Sequence, residues 1–465
     1  MEQLLRFIKK YLIPDFISKR VEPAYHFSLA YLSALFYGFP SSKMTVIGVT
    51  GTKGKTTTCN LIAQILNSAG YKIGMATTVN FRIGEKEWIN KTKQTMLGRF
   101  QLQKLLARMK REGCKYAVIE TSSEGILQYR YRFVNYSMAV FTNLTPEHLE
   151  RHGGFPNYRE AKVKLFEKVA KKKNSIGIYN LDDPNIRYFL EPKIPRQYVY
   201  TLQLKNSRIK IPHLYVISEI KSGPEGTTFL LNKDLFKMPL IGEMNVYNAV
   251  SAICAAISQG IPIKHIRKIL TKVKAPPGRL EMIDTGQKFK VIIDYAHEPA
   301  SLEAVYKVIA NLHKYDSRIF ANKKIRGHSR GKLICLLGAQ GGGRDKWKRA
   351  EMGKIAAKYC DKIILTNEDP YDENPLQIIN DIESGFSQTK SYKLKTKNLF
   401  KVVDRREAIK KALSLAKKDD IVLLTGKGGE VWMCVEDGKK IPWDERAIVE
   451  EVLANLHKYA HKSHK

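Results

Sequence analysis

Residues 48–58 read GVTGTKGKTTT: a short apolar run, three glycines, then Lys-Thr-Thr leading into a helical pattern. Glycine permits tight turns whose backbone N–H groups face phosphate oxygens, and a helix N-terminus adds positive dipole. In such a loop Lys55 would reach the β- and γ-phosphates of a nucleotide, and the Thr56 hydroxyl would ligate Mg²⁺. The strict GxxxxGK[ST] pattern is not met, because Val49 stands at the first glycine position; the fit is to the variant TGTxGKT. Gly51, Thr52, Lys53, Gly54, Lys55, Thr56 and Thr57 are therefore the expected nucleotide-binding residues.

The surrounding pattern says what must hold this loop. From residue 44, apolar β runs (45–50, 73–78, 116–121, 138–144, 175–180) alternate with helical stretches (55–69, 100–112, 158–172). That alternation predicts a mostly parallel sheet flanked by helices. A β-rich stretch (198–202, 214–220, 227–231) and two helices (246–259, 264–271) follow, then a linker at 275–278. A second α/β unit follows, with strands at 289–295, 333–338, 362–366 and 421–425 and helices such as 348–359 and 405–416. The expected fold class is α/β: a short helical N-terminal segment (1–43), a P-loop-type central ATPase domain with a mostly parallel sheet (44–276), and a C-terminal Rossmann-like domain (277–465).

Within residues 1–43, Leu4, Leu5, Phe7, Ile8, Tyr11 and Leu12 recur at helical spacing opposite Arg6, Lys9 and Lys10, and a second apolar run covers 24–39. Two readings stay open: a helical pair packed on the next domain, or a basic amphipathic pair lying on a membrane surface. At sixteen residues, with His26, Ser28 and Ser33 inside it, that run is short for a bilayer span.

The 465 residues carry 79 Lys and Arg against 45 Asp and Glu, a net of +34, with 43% apolar residues. That apolar content excludes a disordered chain. The basic charge is spread along the chain, with no RNA-binding aromatic motif and no zinc-finger spacing, so nucleic acid is not the expected partner. The densest basic stretch, 322–332, reads as a solvated insertion loop. Six cysteines lie far apart without CxxC spacing, which argues against a disulfide framework or structural zinc and for a reduced, cytoplasmic setting. The first residues have no signal-peptide pattern.

TGTKGKTTT resembles the ATP loop of the Mur ligase family, and further blocks follow in that family's order: IETSSEGILQYR (119–130), TNLTPEHLERHG (142–153), NYREAKVKLF (157–166), YNLDDPN (179–185), GEMNVYNAVSA (242–252), PGRLEMI (277–283), DYAHEPASL (294–302), GGGRDKWKR (341–349), TNEDPYDENP (366–375) and TGKGGE (425–430). The chain looks closest to the MurE branch, which adds the third stem-peptide residue to UDP-N-acetylmuramoyl-dipeptide. The resemblance implies an ATP-dependent amino-acid ligase of peptidoglycan precursor synthesis, in which a substrate carboxylate becomes an acyl phosphate and an amine displaces phosphate. It implies catalytic roles for Lys55, Glu120, His148, Lys162 and Arg279. Mg²⁺ would lie on Thr56, Glu120, His148 and a Lys162 carbamylated by CO₂. Asn248 would read adenine, Asp294 the ribose side, and Arg279 and His297 the phosphate region. Thr77, Thr78, Ser122, Ser123, Gln128 and Arg130 would grip the muramoyl-peptide. Arg344, Asp345, Lys346, Asp369, Tyr371, Lys427 and Glu430 would contact the acceptor or phosphate. A monomer working with a free amino acid is expected.

Three departures qualify the resemblance. Only 43 residues precede the central domain, where MurE-type enzymes carry a uridine-binding domain, which opens the alternative of a lipid-linked donor. Diaminopimelate-adding enzymes read DNPR where this chain has Glu368-Asp369-Pro370-Tyr371; a phenol cannot replace the arginine's charge-assisted grip. GKGHE becomes Gly426-Lys427-Gly428-Gly429-Glu430, and the SSH block becomes Ser122-Ser123-Glu124. Within the same fold, a MurT-like, folylpolyglutamate-type or cyanophycin-type ligase is the other reading.

Overall fold

In a computed structural model, the structure describes residues 15–92, 94–147, 149–202, 212–223, 225–321, 331–343, 345–388 and 398–462. The chain divides into two compact units, residues 1–220, 228–238 and 244–273 in one, and 221–227, 239–243 and 274–465 in the other.

The first unit is built on an eleven-stranded sheet. Its strands are β1 (Thr45–Thr50), β2 (Ile73–Ala76), β3 (Asn80–Ile83), β4 (Lys86–Ile89), β5 (Tyr116–Glu120), β6 (Tyr136–Phe141), β7 (Ile176–Asn180), β8 (Arg196–Thr201), β9 (His213–Gly223), β10 (Gly226–Leu231) and β11 (Asp234–Met238). The order is β11-β10-β9-β8-β7-β6-β1-β5-β2-β3-β4. β1 is central and parallel to both β5 and β6, so β1, β5 and β6 end side by side. Its residues 46–50 are buried, as expected of a strand covered on both faces. The helices Lys55–Ser68 and Phe155–Ala170 flank it, and Leu165 and Phe166 of the latter enter a core with Tyr136, Phe141 and Tyr179.

The hairpin β3–β4 is not visible in the alternating pattern; it is a short antiparallel extension of β2. The N-terminal helix also differs from expectation. It runs Asp15–Phe36 without a break and includes Pro23, whose missing N–H leaves one helical acceptor unfilled. The apolar pattern of residues 4–12 lies outside the described residues.

The second unit has a six-stranded sheet in the order β12-β13-β17-β14-β15-β16, from β12 (Glu281–Ile283), β13 (Lys290–Asp294), β14 (Leu333–Leu337), β15 (Lys362–Leu365), β16 (Leu399–Lys401) and β17 (Ile421–Thr425). All neighbours are parallel except β12 with β13. β18 (Trp432–Cys434) and β19 (Lys440–Pro442) form a separate ribbon. The buried Arg405 donates to Glu445 and to the Thr425 carbonyl, tying the end of β17 to two helices.

The cysteine reading needs a correction. Cys335 in β14 and Cys360 after the helix Trp347–Tyr359 are joined by a disulfide, 25 residues apart. The strand–helix–strand crossover brings them together, which sequence spacing does not reveal. The other four cysteines form no disulfide and are buried. No helix among the described residues is long and apolar enough to cross a membrane.

Candidate active site

The glycine loop follows the end of β1 and caps the helix Lys55–Ser68. Gly54 is its N-cap, at φ 80°, and no side chain caps the helix there. Both loop glycines are sterically required. A Cβ on Gly51 (φ 148°) would sit 2.0 Å from Thr142 Oγ1, and one on Gly54 would sit 2.2 Å from Asn248 Oδ1.

The residues after β6 pin the loop from the other side. Lys53 N–H donates to Asn143 Oδ1 at 2.9 Å, Thr52 N–H to the Asn143 carbonyl at 2.8 Å, and Thr142 Oγ1 to the Lys53 carbonyl at 2.7 Å. Asn180 and Asp183 in turn hold that segment, through the Thr142 carbonyl and the Leu144 N–H. Thr142, Asn143, Asn180 and Asp183 lie inside the sequence blocks, but nothing in their types marks them as loop supports.

Glu120 ends β5 beside the loop, buried, and accepts three hydrogen bonds. They come from Thr56 Oγ1 at 2.9 Å, Thr78 N–H at 2.8 Å and Thr78 Oγ1 at 2.9 Å. The carboxylate is thus held against the Thr56 hydroxyl. Thr57 is buried in the first turn of the helix. Lys55 Nζ folds back on the Thr52 carbonyl at 2.8 Å.

Lys162, 1% exposed, points its Nζ into the same loop and donates to the Gly51 carbonyl at 2.7 Å. It lies 4.5 Å from the Tyr158 ring centroid, and the Tyr158 hydroxyl meets Thr52 Oγ1 at 3.1 Å. Burial, then the nearby Lys55, pushes the Lys162 ammonium well below its ordinary range, against the pull of Glu147 and Glu120. His148 lies outside the described residues. Among the described residues no three His, Cys, Asp or Glu side chains gather as a metal cluster. Glu120 and the Thr56 hydroxyl are oxygen donors of the kind that would hold Mg²⁺, whereas the unmodified Lys162 amine is not.

Asn248, against Gly54, bonds Asn245 and Thr58. The expected donor-side residues separate into two groups. Thr78 serves Glu120, and Thr77 is fully buried, with its hydroxyl bonded to Asn80. Ser122 caps the short helix that Ser123 begins, by accepting from Gly125 N–H. Gln128 and Arg130 pair with each other at 2.6 Å, and Arg130 also reaches Gln94 and the Met96 carbonyl. Burial lowers the Arg130 guanidinium.

In the second unit, the expected residues gather at the carboxyl ends of β13, β17, β14 and β15, where open α/β sheets bind ligands. Asp294 is held by the N–H groups of Leu280 and Ala296, both at 2.8 Å, and burial raises its carboxyl despite Arg279. Arg279 stacks over Tyr295 at 4.4 Å, and His297 Nδ1 meets the Tyr295 carbonyl. Lys427 is fully buried between Asp369 (2.8 Å), Glu430 (2.6 Å) and the Trp432 carbonyl (2.7 Å). Tyr371 holds a left-handed backbone (φ 51°). Lys346 lies 3.6 Å from Glu373, Asp345 is at φ 41°, and Arg344 is outside the described residues.

One acid beside these was not anticipated as a site residue. Glu368 is buried, and neither carboxylate oxygen has a hydrogen-bond partner. Burial raises its carboxyl, while His297, Arg405 and Lys427 lower it.

Comparison with known proteins shows the family. Residues 49–256 match the Mur ligase middle domain, and residues 278–428 match the Mur ligase glutamate ligase domain. A UDP-N-acetylmuramoyl-L-alanyl-D-glutamate–2,6-diaminopimelate ligase of Syntrophomonas wolfei is 35% identical over 92% of this chain and 81% of its own. A UDP-N-acetylmuramyl-tripeptide synthetase of a Roseiflexus species is 34% identical over 92% and 82%. A solved diaminopimelate ligase structure, 29% identical, covers 89% of this chain and 79% of its own at a TM-score of 0.59. With a glycine loop, its Thr56–Glu120 pair and a buried lysine at the carboxyl ends of central strands, and relatives matched over 92% of this chain and 81–82% of theirs, this chain belongs to the Mur ligase family of ATP-dependent, amide-bond-forming ligases.

Proposed function

We propose that this ligase adds an amino acid, as the third stem residue, to a UDP-N-acetylmuramoyl-dipeptide-like donor through an acyl phosphate. One observation carries this reading: Glu120 is clamped between the loop hydroxyl of Thr56 and the donor-side Thr78. A buried anion bonded both to a residue expected to hold nucleotide and to one expected to hold the acyl donor supports this reading. Mg²⁺ bound there supplies charge neutralisation to the phosphates. The chain's own part is to hold and orient. The loop fixes the phosphates, Lys55 swings from its Thr52 tether onto them, and Thr78 keeps Glu120 facing Thr56.

Lys162 takes its role as a carbamate. A buried amine that is neutral at working pH attacks CO₂, forms a C–N bond and releases one proton, which turns a repelling cation into an oxygen ligand. The depressed ammonium and the amine's place against the Gly51 carbonyl support this. Lys162→Ala tests the scheme. ADP release dependent on donor and amino acid falls by about a hundredfold or more and recovers in part with short-chain carboxylic acids. Undiminished turnover by the alanine variant refutes it.

For the acceptor we propose an amino acid with a cationic side chain, such as lysine or ornithine. The Glu368 carboxylate beside Asp369, which accepts no hydrogen bond, and Tyr371 in place of a guanidinium support that choice. A lipid-linked donor is the second reading, favoured by the exposed apolar face of the helix Asp15–Phe36. The protein is proposed to act as a cytoplasmic monomer, in peripheral contact with the membrane through residues 1–43.

A further inference from the structure

The helix Asp15–Phe36 is packed inside out. Its small residues Ala30, Ser33 and Ala34 are buried, whereas Tyr25, Phe27, Tyr31, Leu32, Leu35 and Phe36 are each 43–75% exposed. Amphipathic helices of globular units ordinarily turn the large apolar side chains inward. Phe100 and Leu127 are exposed too. Arg99, beside Phe100, bonds His26 of the helix and the carbonyl of Gln128, beside Leu127, so both extend the same face. An apolar surface of this extent marks a binding face rather than scattered exposure.

Cations line one side of it. Phe27 and Tyr31 pack edge-on against Phe133, at 5.2 and 5.4 Å. The neighbouring Arg132 holds its guanidinium 6.0 Å from the Phe27 ring and 5.4 Å from Tyr129. Lys168 lies 5.6 Å from Tyr131. Its ammonium is depressed by burial first, then by Arg132, Lys172 and Lys171, so the four cations crowd together. The acid facing them is Glu167, close to Tyr131, while Glu22 is taken up by His26. None of Arg132, Lys168, Lys171 and Lys172 has an ion pair with a carboxylate among the described residues.

We propose that this face docks on an anionic lipid bilayer: the Tyr25–Phe36 side chains enter the headgroup–acyl boundary, and Arg132, Lys168, Lys171 and Lys172 lie over lipid phosphates. Charge complementarity selects this occupant. A second copy paired two-fold through the same face would set like cations against one another. The surface deepens the peripheral-membrane reading above by naming the lipid charge and four cations outside residues 1–43. Its test needs no turnover, so its failure leaves the ligase reading standing.

The full chain is co-sedimented with sucrose-loaded vesicles of phosphatidylcholine, alone or with about 30% phosphatidylglycerol, since anionic headgroups are the lever. We expect about tenfold stronger binding to the anionic vesicles, lost near 0.5 M NaCl as charges are screened. Leu32→Glu/Phe36→Glu and Arg132→Glu/Lys171→Glu each weaken binding about tenfold while circular dichroism stays unchanged. Equal binding to neutral and anionic vesicles overturns the proposal. So does binding that survives both double variants, which would place the contact elsewhere. A dimer abolished by Leu32→Glu/Phe36→Glu, with no vesicle binding, also overturns it in favour of a second copy.

Discussion

The side-chain oxygen of Asn248 stands where a Cβ on Gly54 would have to be, 2.2 Å from that position. The nucleotide loop and the helix Glu243–Ser258 are therefore fitted to each other at a single atom, and Gly54 is at a positive φ besides.

Gly54→Ala should raise the dissociation constant for ATP by about tenfold or more and cost about 1–3 kcal/mol of stability, from clash and left-handed strain together. Adding Asn248→Ala removes the clash but not the strain, so the melting temperature should recover only in part. Isothermal titration and thermal melts check this; a stable, fully binding Gly54→Ala protein contradicts it.

Glu120→Gln removes the charge and leaves one acceptor oxygen where three hydrogen bonds from Thr56 and Thr78 converge. We expect kcat/KM to fall by about a hundredfold or more. The Mg²⁺ concentration for half-maximal ADP release should rise in parallel. An unchanged Mg²⁺ dependence would remove Glu120 from the metal site.

The acceptor panel should favour lysine or ornithine over meso-diaminopimelate. Glu368→Gln should lower kcat/KM for the preferred diamino acid by about ten- to a hundredfold, since a charge-assisted contact becomes neutral. It should leave the melting temperature unchanged or raise it, because the carboxylate has no hydrogen bond to lose and its burial outweighs the pull of His297, Arg405 and Lys427. Tyr371→Arg should shift preference toward diaminopimelate. A clear advantage for diaminopimelate in the unaltered protein defeats the prediction.

Burial brings the Lys168 ammonium down to about 8 in the fold, whereas the unfolded chain holds its proton to about 10.4. Between those values the unfolded state binds more protons, so stability rises with pH there, and the penalty is complete below about 8. Urea midpoints taken from pH 7.5 to 9.5 should therefore climb more steeply than those of Lys168→Met. Parallel slopes would refute the assignment.

Most of the strands that carry the site are legible in the sequence, because each is a short apolar run between turn signals: 45–50, 116–121 and 421–425 match β1, β5 and β17 nearly residue for residue. The hairpin β3–β4 is not, since four-residue strands with exposed positions lack a clear period. The Cys335–Cys360 bond is not, since a crossover rather than spacing brings the pair together.

The order and types of residues alone determined the phosphate loop, the family and the expected carboxylate and lysine, because that chemistry needs particular side chains at fixed local spacing. Only the tertiary structure decided which groups are engaged and which are free. Glu120 is claimed by Thr56 and Thr78, Thr77 by Asn80 and Arg130 by Gln128, while Glu368 is left without a hydrogen bond and the N-terminal helix turns its large side chains outward. Burial and hydrogen bonding between residues distant in sequence set those outcomes, and neither is encoded in local pattern.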